Sequence, residues 1–144
     1  MESAAVLFHL AFPVADIPTA KNFYVAGLGC QPGRETASSL ILNLYGHQLV
    51  AHTTVELTPQ KGIYPRHFGL VFLSETDWES LLHRAKDKQL TFYQGEKRRF
   101  AGSTLEHSTF FLEDPFFNLL EFKYYCHPSA IFGEIEQGLV GDAK

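Results

Sequence analysis

The sequence predicts an α+β fold built from two βαβββ modules. Three observations carry that prediction. Short runs in which apolar and other residues alternate recur along the chain, the pattern of strands with one face buried. Two of these runs open on matching tetrads, His9-Leu10-Ala11-Phe12 and His67-Phe68-Gly69-Leu70, each a His, an apolar residue, a small residue and an apolar residue. Each opening run is followed by helix-start signals and then by three more strand-like runs.

Taken in order, the first strand lies in FHLAF. Asp16 is an N-cap whose side-chain oxygen satisfies a backbone N–H of the first helical turn, and Pro18 sits where its missing donor costs nothing. Ala20, Phe23 and Tyr24 give that helix its apolar stripe, and Gly27 and Gly29 end it. Residues 31–36, 39–45 and 48–55 read as the next three strands, with Tyr45-Gly46-His47 as a hairpin turn. A linker at 58–63 separates a first module of about residues 5–57 from a second of about 64–127. The second module opens in RHFGLVF. Thr76 and Glu79 read as a capping box, and Trp78, Leu81, Leu82 and Ala85 form the core-facing stripe of its helix. Strands are expected at 91–100, 108–113 and 118–125. Asp114-Pro115 starts the last turn, because proline fixes its own φ and keeps its predecessor out of the helical region. Periodicity is lost in a C-terminal tail, 128–144.

Bulk composition narrows the function classes. A chain of 144 residues with 45% hydrophobic and 19% charged residues is large enough for one well-buried core. A formal charge of −4, spread along the chain, argues against nucleic acid as a partner. The one basic run, Lys97-Arg98-Arg99, is expected at a solvated strand or loop edge, with binding of a substrate anion as the alternative. No apolar run approaches the length needed to span a bilayer, and the N-terminus lacks the pattern of a secretion signal, so a cytoplasmic protein with no membrane partner is expected. Cys30 and Cys126 then read as free thiols. His47, His83, His107 and His127 are assigned surface roles at turns, on a helix or in the tail, with His107 the one most apt to depart from this.

Three strand-borne side chains carry the chemistry. His9, His67 and Glu121 each lie in an apolar strand, and a strand sends alternate side chains to one face. Two imidazoles and a carboxylate form the protein half of a facial metal triad with coordination sites left open. That donor set suits Fe(II), and Mn(II), Ni(II), Co(II) or Zn(II) are also compatible. Glu121 stands between Leu120 and Phe122, where an unpaired carboxylate is costly to bury and a bound cation removes the cost.

The segment STFFLEDPFFNLLEFKYY resembles the closing hairpin of the vicinal oxygen chelate superfamily, which includes glyoxalase I, fosfomycin- and bleomycin-resistance proteins and extradiol dioxygenases. FHLAFPVADIPTAKNFYVAGLGC resembles that superfamily's opening strand–helix unit, and RHFGLVF its second opening strand. The likeness covers about residues 5–125, with Phe117 standing where a Gly is usual. It implies a single domain, 1–127, whose two modules form an open mixed-sheet barrel around one divalent metal. His9, His67 and Glu121 match three of the family's four ligand positions. The fourth falls on Val50, which cannot bind a metal, so the likeness points away from glyoxalase I and toward the three-ligand dioxygenase branch. RRFAGSTLEHSTFFLEDPFFNLLEFK is closest in kind to small single-domain extradiol-dioxygenase-like members.

The resemblance also implies roles nearby. His52, on the strand face of Val50, reads as a candidate catalytic acid or base, as a fourth ligand in a slipped register, or as an ordinary barrel-mouth histidine, and Gln48 is a candidate hydrogen bond to substrate. Lys123 shares Glu121's strand face and reads either as a side chain snorkelling at the barrel rim or as a candidate partner for an anionic substrate group. Phe111, a candidate substrate contact, stands where extradiol enzymes commonly carry a Tyr ten residues before the metal Glu, so a phenol is missing there. The expected function is a metal-dependent, dioxygenase-like oxidoreductase acting with Fe(II) on a catechol or related small molecule. The alternatives are an isomerase, lyase or thiol transferase of the glyoxalase or fosfomycin-resistance kind, and a non-catalytic ligand-binding resistance protein. A homodimer is the expected assembly.

Overall fold

A computed structural model describes residues 5–141, so the last three residues of the predicted tail lie outside the described residues. Strand β1 (His9–Val14) leads into helix α1 (Ile17–Lys21), which continues as a π-helical turn (Asn22–Gly27). Strands β2 (Gln31–Glu35), β3 (Ser39–Leu44) and β4 (His47–Thr53) complete the first module. The second runs β5 (Phe68–Phe72), α2 (Glu75–Asp87), β6 (Phe92–Arg99), β7 (His107–Glu113) and β8 (Leu119–Tyr125). The sheets order as β1-β4-β3-β2 and β5-β8-β7-β6. In each, the opening strand pairs parallel with the closing one and the remaining pairs are antiparallel. The two βαβββ modules are thus present, but their sheets are not closed into a barrel within the chain.

Alternation decides which face of each strand meets the helices. Phe110, Leu112, Leu120 and Phe122 are buried in one core with Phe12, Val14, Leu40, Leu42, Leu49 and Ala51 of the first sheet. Trp78 of α2 joins them, its indole N–H donating to the Phe122 carbonyl at 2.8 Å. The odd-numbered residues of β7 and β8 are left for the opposite, inner face.

Asp16 caps α1 as expected, its Oδ1 accepting from the Thr19 N–H at 2.7 Å. The cap of α2 is Ser74 rather than Thr76, with Oγ accepting from the Asp77 N–H at 3.3 Å. Starting there puts Glu75 and Asp77 in the first turn, at the positive end of the helix dipole. The π-helical turn has no sequence signal. Arg84 of α2 supports its end, donating from Nε to the Gly27 carbonyl at 2.8 Å and from Nη2 to the Ala26 carbonyl at 3.0 Å.

The Asp114-Pro115 turn is held from its centre. The Asp114 carboxylate accepts from the Phe116 and Asn118 backbone N–H groups, the Asn118 amide and the buried Tyr24 hydroxyl. Burial pushes this carboxyl up, and those four donors pull against it. Phe117 sits at φ +71°, the left-handed conformation that explains why glycine suits its place. Asn118 also donates to the Pro13 carbonyl at 2.9 Å, which ties β1 to the start of β8.

Candidate metal centre

Glu121 is set by register. It lies opposite Phe111 of β7 on one side and Gly69 of β5 on the other. A Cβ at position 69 would fall 1.6 Å from the Glu121 carbonyl oxygen, so only glycine lets β5 approach β8 this closely. His67, just before β5, then reaches across. Its Nε2 is 3.0 Å from Glu121 Oε1, and the Thr109 hydroxyl donates to Oε2 at 2.6 Å. Lys123 Nζ is 3.9 Å from Oε1. Phe111, Ile63 and Leu119 pack as a small buried apolar group behind the site, with the Phe111 ring 5.2 Å from that of His67.

The protonation pattern follows from the partners. His67 Nδ1 lies 2.7 Å from the Ile63 carbonyl, an acceptor only, so Nδ1 carries the hydrogen. In the neutral ring Nε2 is then a lone pair facing a carboxylate oxygen. Two acceptors 3.0 Å apart require positive charge between them, supplied by a second ring proton or by a cation bound to both. The hydrogen bond to Glu121 accordingly raises the His67 pKa, against the effect of burial. Burial pushes the Glu121 carboxyl up, but His67, Lys123 and Thr109 outweigh it and hold the group below its ordinary range.

His9 is exposed on β1, the edge of the other sheet, and its Nδ1 is 2.7 Å from Gln48 Oε1, its register partner on β4. Gln48 thus orients His9. Both histidines have Nδ1 engaged by an oxygen acceptor, so Nε2 is the ring atom of each that could hold a metal. Within the chain His67 and Glu121 come together and His9 does not join them. Among the described residues no group of three or more His, Cys, Asp or Glu side chains is gathered for a metal. Val50 lies opposite Ala11, and His52, exposed, lies opposite Pro13 toward the end of the β1–β4 ladder remote from His9. The basic run is not uniformly solvated, since Arg99 is buried. His107 is buried too, its Nδ1 against the Leu105 carbonyl at 2.9 Å and its ring beside Tyr125. Thr109 was not legible as a site residue, because only the strand register reveals that it shares Glu121's face.

A profile described as the Glyoxalase/Bleomycin resistance protein/Dioxygenase superfamily matches residues 6–122. The chain belongs to that superfamily. Members typically bind a divalent metal and small-molecule substrates, and many are enzymes. A glyoxalase/bleomycin resistance protein/dioxygenase from Alicyclobacillus acidocaldarius is 40% identical, with a TM-score of 0.86 over 92% of this chain and 100% of that one. An integron cassette protein from V. cholerae is 26% identical at a TM-score of 0.58, over 87% of this chain and 98% of that one. The fold is also that of the fosfomycin resistance protein FosX from Listeria monocytogenes, at 14% identity and a TM-score of 0.68, over 89% of this chain and 99% of that one. Comparison with curated proteins finds no match. No helix among the described residues is long and apolar enough to cross a membrane.

Proposed function

We propose that this superfamily member is a metal-dependent enzyme acting on a small molecule that presents two adjacent oxygens. His67 and Glu121 of one copy and His9 of a second would hold the metal. One observation carries this reading: an imidazole nitrogen and a carboxylate oxygen face each other at 3.0 Å while the other ring nitrogen already donates to a carbonyl. His9, with Nδ1 against Gln48, is prepared in the same way on the other sheet. A homodimer in which each copy lends His9 to its partner's pair reconciles the triad with the single-chain geometry. Apolar surface at Val6, Leu7 and Phe8, exposed where the chain enters edge strand β1, supports such an assembly.

A divalent metal bound there would supply Lewis acidity to the chelating oxygens of the substrate. The two-histidine, one-carboxylate donor set supports Fe(II) and a dioxygenase-like oxidoreductase acting on a catechol or related compound. A second reading, an isomerase, lyase or thiol transferase of the glyoxalase or fosfomycin-resistance kind, is favoured by Phe111. The group directly across from Glu121 is a buried phenyl ring with no hydroxyl to offer a phenolic substrate. Metal analysis of anaerobically purified protein, followed by oxygen uptake with a panel of catechols, separates the two. Fe(II)- and oxygen-dependent ring cleavage supports the first. Anaerobic turnover with Mn(II), Ni(II) or Co(II) supports the second. Metal-free protein whose ligand binding survives His67→Ala would leave only a sequestering role.

A further inference from the structure

The sheet that carries Glu121 continues into a basic strip, and we infer that this strip reads a negative charge on the substrate about one residue row from the chelating oxygens. The inference rests on the metal reading above and names the substrate class for that site. Register places the groups. The row beyond Glu121 holds Val71, Lys123, Thr109 and Lys97, and the next holds Tyr125, His107 and Arg99. Residues directly opposite on paired strands share a face, and the Thr109 bond to Glu121 identifies it as the face of the carboxylate. Beyond Glu121, these two rows therefore bring three cationic side chains and no acidic one.

The run Lys97-Arg98-Arg99 is split by strand alternation. Arg98 turns to the other face and pairs with Glu106, while Lys97 and Arg99 stay on the inner one. Arg99 is only 7% exposed, and its charge acts where water screens it less than at a surface. Lys97 and Arg99 also interact elsewhere in the chain, so they contribute field, and Lys123 is the contact residue. Lys123 Nζ lies 3.9 Å from Glu121 Oε1 and 5.3 Å from the centre of the Tyr125 ring, and Lys123 lines a hollow of about 210 Å³ together with His67 and Glu121. The short distance from Lys123 Nζ to the Glu121 carboxylate places the charge within a few bonds of any oxygens chelated there. The ligand class is a small carboxylate, phosphonate or phosphate that carries an adjacent hydroxyl or oxo pair.

The test uses the full chain loaded with Mn(II) and two hydroxamates, both two-oxygen chelators. Acetohydroxamate carries no charge beyond its chelating group, and succinate monohydroxamate adds a carboxylate a few ångströms away. Calorimetry is expected to show the carboxylate-bearing ligand binding about tenfold tighter or more, with the preference weakening as salt rises. With each variant compared at saturating Mn(II), Lys123→Met should bring the ratio of the two affinities to about one, whatever it does to either affinity alone, and Lys123→Arg should keep the preference. Equal affinities in the wild type, with metal and acetohydroxamate both bound, overturn the inference alone. A preference that survives Lys123→Met overturns it as well. Failure to take up Mn(II) or bind either hydroxamate overturns the metal reading, and the substrate class falls with it.

Discussion

Thr109 shows how much of the site rests on a single hydroxyl. It occupies one oxygen of Glu121 and leaves the other for His67, so the carboxylate cannot rotate freely. Thr109→Val should weaken metal binding by about 10- to 100-fold in a chelator competition while the protein stays folded. Unchanged affinity would show that Glu121 is held by other means. The His67–Glu121 pair also makes the metal-free protein pH-sensitive in a defined way. The His67 pKa is raised above 6.5, so its contribution to stability is complete below that value and fades as pH rises through the shifted one. The Glu121 pKa is lowered from 4.5, so its contribution is complete above that value and fades as pH falls through the shifted one. Thermal melts of metal-free protein should show a stability maximum between the two that Glu121→Gln flattens, and an unaltered profile in that variant would contradict the pairing. His67 and Glu121 were legible because a polar residue in an apolar strand stands out. The roles of Thr109 and Gln48 were not, since each depends on which residue of a neighbouring strand lies opposite.

Secondary structure was legible wherever period and punctuation agreed. Strands β3 to β8 lie within two residues of the sequence reading, because alternation and turn residues such as Asp114-Pro115 mark both ends. The start of α2 was misplaced because Ser74 and Thr76 both offer a hydroxyl with an acidic residue three positions on. The π-helical turn was invisible because its apolar residues also satisfy an α-helical stripe. Its stability depends on a residue far along the chain: Arg84→Met removes two charge-assisted hydrogen bonds to Ala26 and Gly27 and should cost about 1–2 kcal/mol in denaturant unfolding. No loss would mean that water serves those carbonyls equally well. Gly69 is the stricter constraint. Gly69→Val must force β5 from β8 beside Glu121, at a cost of about 3 kcal/mol or more and with loss of metal. Wild-type metal affinity in that variant would contradict the registered position of the site.

At the scale of the whole molecule, the repeat revealed two like modules but not which inner faces meet. That choice is made by packing between sheets, and no local pattern encodes it. Here the sheets remain open, His67 and Glu121 converge on one, and His9 waits on the edge strand of the other. The most direct measurement is the metal content of a purified heterodimer between a His9→Ala chain and a Glu121→Ala chain, each carrying a different tag. A site shared between copies restores about one intact triad per heterodimer, so the mixed species should hold about one metal while neither parent homodimer holds any. A heterodimer as empty as its parents, beside a fully loaded wild type, would contradict a metal held between two copies.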